Sequence, residues 1–170
     1  MAAWLFVQPG KPESFQAIAG SFFQQYWRVG RVWRSLVAMI AFPVIYFFFG
    51  SLISPIVLPY YQQLGGALMI PDLGTLLPVL FLRSFIFLVS CFMLLAAWQK
   101  TRLSLALWLG VAMFMLVGGI GLLVGSFLPA VLRVVHSVEI LTDSLCYAAV
   151  LALLFRSTKS KPQLNVEESE

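Results

Sequence analysis

The sequence predicts an all-α integral membrane protein, a bundle of four transmembrane helices with an amphipathic helix lying in the interface ahead of them. Three observations carry that expectation. The 170-residue chain is 61% hydrophobic and 11% charged, with mean hydropathy +0.92. A soluble domain is about half apolar and a quarter charged, and needs that charge to cover its surface. Next, the chain contains four apolar runs of about 20 residues or more, enough to cross a hydrocarbon core of roughly 30 Å. Finally, the cations gather at the ends of those runs and nowhere form a face. The net charge of +4 therefore reads as a set of topology signals, and no nucleic-acid partner is expected.

Residues 1–34 are expected to form a cytoplasmic segment. MAAWLFVQPGKPESF lacks a basic stretch followed by an apolar one, so no cleaved signal peptide is expected. Downstream, Phe15, Ile18, Phe22, Tyr26 and Val29 recur at helical spacing with Gln and Arg between them. This predicts an interfacial amphipathic helix anchored by Trp27 and Trp33, with a partner-binding helix as the rival.

Residues 35–155 are the transmembrane domain, with spans at about 35–58, 76–98, 103–124 and 128–155. Backbone in hydrocarbon has to satisfy its own hydrogen bonds, so these runs are helices. The short alternating segments of a membrane barrel are absent. Pro43 and Pro55 are expected to bend the first span, while Pro78 and Pro129 fit near helix starts, where a missing N–H is harmless. Gly118 to Gly121 and the Gly121/Gly125 pair of the third span would let backbones approach closely. Residues 156–170, polar and ending in acids, should be a disordered tail.

Arg28, Arg31 and Arg34 precede the first span, Lys100 and Arg102 separate the second and third, and Arg156, Lys159 and Lys161 follow the fourth. The two remaining connections carry no Lys or Arg. The positive-inside rule then puts both termini in the cytoplasm of a multi-pass cell-membrane protein.

Against this background RVVHSVEILTD, Arg133 to Asp143, is unusual, because it puts four ionisable groups into a span. Glu139 lies about 17 residues above Arg156, and Arg83 about 17 above Lys100, so both stand roughly 25 Å from the cytoplasmic boundary. On a wheel at about 100° per residue, His136, Glu139 and Asp143 share a ~60° arc, with Arg133 about 60° further on. Tyr147 extends the stripe downward. The candidate site is thus a buried polar network of Arg83, Arg133, His136, Glu139, Asp143 and Tyr147. Its two cations and two acids balance, so Arg83 is expected to pair with Glu139 or Asp143 and tie the second span to the fourth.

Three functions follow in order of preference. The first is a non-enzymatic membrane subunit or scaffold locked by that network, with a membrane protein or a second copy as partner besides the lipid. The second is a transporter or channel component that uses the network to bind a proton or a small solute, with Tyr60, Tyr61 and Asp72 as a lid. The third is an intramembrane metal-dependent enzyme, disfavoured by the lone His and by the two arginines. No cofactor or metal is expected. Cys91 and Cys146, at similar depth, read as small core residues.

Overall fold

The computed structural model describes residues 32–63, 72–98, 100–125 and 128–155. The proposed amphipathic helix, apart from its last residues, and the polar tail lie outside them. Every regular element among the described residues is helical. In chain order these are α1 (Val32–Gln63), α2 (Leu73–Ala97), α3 (Arg102–Phe114), a π-helical turn (Met115–Gly119), α4 (Ile120–Val124) and α5 (Ala130–Phe155).

Among the described residues, three helices are long and apolar enough to cross a membrane: α1, α2 over Leu73–Phe92, and α5. The third expected span is a shorter apolar helix over Arg102–Gly118, and it is not uniformly α-helical. The π turn at MLVGG inserts one extra residue per turn before the helix resumes as α4.

The ends of the elements follow from local chemistry. α2 begins earlier than the apolar run suggested because Asp72 caps it. The Asp72 carboxylate accepts from the Thr75 hydroxyl at 2.8 Å and from the Thr75 N–H at 3.1 Å. These two bonds hold the exposed Asp72 carboxyl below the ordinary aspartate value. Pro78 consequently falls inside α2 and not at its start. Thr101 caps α3, its hydroxyl accepting from the Ser104 N–H at 3.2 Å. Pro129 stands just before α5, and its carbonyl accepts from the Arg133 N–H at 3.1 Å. α1 runs on through Pro55 and Pro59 to Gln63, five residues past the expected end at Leu58. At 32 residues it is longer than the roughly 20 residues needed to span a bilayer.

α5 is the central element. It packs most heavily on α3 and next on α1, while α2 lies against α1 and meets α5 where Ser84 approaches Tyr147. α1 and α5 are antiparallel. The Arg34 guanidinium donates to the Leu154 carbonyl at 2.9 Å near one end, and Tyr61 meets His136 near the other. A cation at the C-terminus of α5 also suits the helix dipole.

Glycine sets the α3–α5 distance, and the backbones meet at a glycine that the spacing did not single out, Gly110. A Cβ at Gly110 would lie 2.9 Å from the Leu145 Cα, so Gly110 is where the two backbones meet. A Cβ at Gly118 would meet side chains alone, Ile140 Cδ1 at 2.8 Å and Leu122 Cδ1 at 3.5 Å, and one at Gly121 would meet nothing within 4 Å. The buried core runs through Ala38, Phe42, Leu80, Leu88, Leu105, Leu109, Tyr147, Leu151 and Phe155. Large side chains such as Leu36, Val44, Phe48, Leu82 and Leu116 cover the outside, as lipid requires. Cys91 and Cys146 are free thiols.

Candidate functional site

The α5 stripe forms as the wheel predicts, and α1 lies along it. His136 and Glu139 are one turn apart, close enough for His136 Nδ1 to sit 2.8 Å from Glu139 Oε2. On the other side of the ring, Nε2 lies 2.9 Å from the Tyr61 hydroxyl. The Tyr61 and His136 rings stack at 22° with centroids 6.3 Å apart. The second oxygen of Glu139 faces Gly50, where a Cβ would come within 3.6 Å of Oε1. Tyr61, His136 and Glu139 therefore form a hydrogen-bonded string beside α1 between Tyr61 and Gly50, positions separated by roughly 16 Å along a helix axis.

The string fixes proton positions. With Glu139 ionised, Nδ1–H donates to the carboxylate, and Nε2 is left to accept from the Tyr61 hydroxyl. An imidazole held this way can take a proton at Nε2 and release one from Nδ1, which makes it a relay between the Tyr61 hydroxyl and the Glu139 carboxylate.

The string ends at a cavity of about 200 Å³. α1 supplies Phe42 and Tyr46, α2 supplies Arg83 and Phe87, and the π turn supplies Val117. α5 supplies His136, Glu139, Ile140, Asp143 and Ser144. Glu139 and Asp143 are only 8% and 6% exposed. Asp143 Oδ1 has no hydrogen-bond partner among the described residues, although it is buried. A buried acceptor left in that state costs about 1–3 kcal/mol, and more when charged.

Arg83 corrects the expected ion pair. It reaches the same cavity as Glu139 and Asp143, yet among the described residues no ion pair joins it to either carboxylate. The Arg83 Cζ lies instead 5.7 Å from the Phe42 ring and 5.3 Å from the Phe87 ring. The reason is the packing order. α2 rests on α1, so aromatic side chains of α1 and of α2 itself meet the guanidinium first, and their faces stabilise it electrostatically.

The other two members of the expected network lie apart. Arg133 does not line the cavity, and its Nε is buried without a hydrogen-bond partner among the described residues. Tyr147 is fully buried in the core. Its hydroxyl is 3.4 Å from the Ser84 Oγ, which is itself 3.5 Å from the Ala38 carbonyl, and its ring meets Phe42 edge-on at 5.3 Å. The expected lid is also rearranged: Tyr61 belongs to α1, and Asp72 caps α2.

Sequence reasoning missed Tyr61 as a partner of His136, Gly50 as the contact for Glu139, and the wall formed by Phe42, Phe87 and Val117. The signal for the first two was available, because Gly50 and Tyr61 share a face of α1 if the helix runs through Pro55 and Pro59. Among the described residues, no three His, Cys, Asp or Glu side chains come together to hold a metal ion. Compared with known protein families, with characterised proteins and with solved structures, the chain matches none.

Proposed function

We propose that the protein is a non-enzymatic transporter or channel component of the cell membrane whose cavity takes up a proton and a small polar solute. In this reading the chain has four spans and both ends in the cytoplasm, with an interfacial helix ahead of the first. The third span is residues 102–124, helical throughout as α3, the π turn and α4, and long enough against the ~20 residues a span needs. Arg34, near the end of α5, and the Lys100–Arg102 turn support the orientation through the positive-inside rule.

One observation carries the reading. A hydrogen-bonded Tyr61–His136–Glu139 string leads to a cavity in which one oxygen of a buried carboxylate, Asp143 Oδ1, lacks a donor among the described residues. A purely structural network would close on itself. Ionisable groups at membrane depth that stay open to a cavity mark proton and solute paths in membrane proteins generally.

The experiment is proton flux in proteoliposomes with a trapped pH dye under an imposed gradient. The parent is expected to dissipate the gradient faster than protein-free vesicles, and both Glu139→Gln and His136→Gln to lose that excess. A correctly folded parent that conducts no faster than bare vesicles contradicts the reading.

A second reading, the membrane scaffold subunit, is favoured by the two cross-links between α1 and α5, Arg34 to Leu154 and Tyr61 to His136. There the string is a latch, and the same variants lose stability while flux never exceeds the vesicle background.

A further inference from the structure

We infer that the solute is a small zwitterion of the α-amino-acid class, its carboxylate held by Arg83 and its ammonium by Asp143. The inference rests on the reading of the cavity as a solute site and adds the chemistry of what fills it.

Arg83 and Asp143 line one cavity from different helices without forming an ion pair. The guanidinium Cζ lies 5.3 Å from the Phe87 ring and 5.7 Å from the Phe42 ring, and these rings are themselves 5.3 Å apart, so both lie to one side of it. Such contacts steady the charge but use none of the in-plane N–H donors, which form a fork matched to a carboxylate. Asp143 presents the complementary deficit. It is 6% exposed, and Oδ1 lacks a donor among the described residues. An ammonium group brings three donors and a compensating charge.

Glu139 does not compete for that role. One of its oxygens is committed to His136, and the other faces Gly50. The division of labour is therefore Glu139 to the proton string and Asp143 to the ligand.

Charge count and size narrow the class. A simple amine leaves Arg83 without an anion, and a simple carboxylic acid leaves Asp143 without a cation. Only a molecule carrying both groups meets both needs. A divalent metal is disfavoured by Arg83 in the wall and by the absence of a three-ligand group among the described residues. The volume of about 200 Å³ modestly exceeds the ~150 Å³ of an apolar protein cavity that binds benzene. Alanine has as many heavy atoms as benzene. Phe42, Phe87, Val117 and Ile140 give the cavity an apolar side against which a short side chain can rest.

The test compares three probes on the full chain in nanodiscs, by calorimetry and thermal shift: L-alanine, ethylamine, which lacks the carboxylate, and propionate, which lacks the ammonium. Alanine is expected to bind at least ten-fold tighter than either fragment. Arg83→Lys, which keeps the charge but loses the fork, should erase most of the advantage over ethylamine. Asp143→Asn should erase the advantage over propionate. If ethylamine or propionate binds as well as alanine, the zwitterion assignment is wrong and the solute cavity stands. If none of the three binds while the parent still carries protons, the assignment is again overturned and the proton reading survives. If there is neither binding nor flux, both fall together.

Discussion

At the scale of single residues, the site is a contrast between satisfied and unsatisfied groups. His136 has both ring nitrogens engaged, by Tyr61 and by Glu139, whereas Asp143 Oδ1 has no partner among the described residues. Replacing Tyr61 by Phe removes the hydroxyl that Nε2 accepts from and leaves the stacked ring in place. Stability should fall by about 1 kcal/mol, the net value of a hydrogen bond. Proton flux should fall much further, because the string loses its outer hydroxyl. A Tyr61→Phe variant with full flux would place the entry point elsewhere. Asp72 gives a residue-scale prediction in water. Its carboxyl is held low by the Thr75 bonds, so its cap contribution is fully present above the ordinary aspartate value. That contribution fades as pH falls through the lowered folded value. The difference in melting temperature between the parent and Asp72→Ala should therefore be constant near neutral pH and shrink in acid; a difference that grows in acid contradicts the cap.

At the scale of elements, the decisive contacts are between α5 and its two neighbours. Gly110 brings the α3 backbone to Leu145, with 2.9 Å available where a Cβ would go. Gly110→Ala has to push the helices apart, at about 1–3 kcal/mol. Gly121→Ala meets open space and should be neutral or stabilising by up to about 1 kcal/mol. Unfolding of both variants by denaturant in detergent checks the pair, and equal effects would refute the assignment of the close contact. The same glycines show what a sequence can and cannot disclose. Spacing alone pointed to Gly121 and Gly125, because the pattern of small residues says which glycines share a face. It does not say which face a neighbour takes. The π turn moved that face: one extra residue between Met115 and Gly119 rotates everything beyond it relative to an ideal helix. The α5 stripe was legible because period and burial agree there. Arg83 was not, since its depth followed from counting residues, but its partner depended on α1 and α2 placing Phe42 and Phe87 around the guanidinium first. Tyr61 was hidden because the apolar run ends at Leu58, whereas α1 continues to Gln63.

At the scale of the molecule, the described residues form a shell of large apolar side chains around an apolar core that encloses a small polar cavity. The apolar runs and the cation positions were readable from composition and order alone, since bilayer thickness and backbone hydrogen bonding leave few alternatives. The orientation is checkable with single cysteines in a Cys91→Ala, Cys146→Ala background. Gln63→Cys should react with an impermeant maleimide added outside intact cells, and Lys100→Cys only after permeabilisation. The reverse pattern would turn the cavity toward the cytoplasm and invert the direction of the proposed path.

The central claim is that the membrane interior retains the Asp143 carboxylate for a ligand and not for folding. It is tested most directly by the thermal stability of Asp143→Asn against the parent in the same detergent, without added solute. An amide is nearly isosteric and removes a buried charge whose Oδ1 has no donor among the described residues, so the account predicts a melting temperature equal to or above the parent's. A loss equivalent to about 1–3 kcal/mol, the cost of breaking a satisfied buried hydrogen bond, would contradict it and make the carboxylate part of the structural lock.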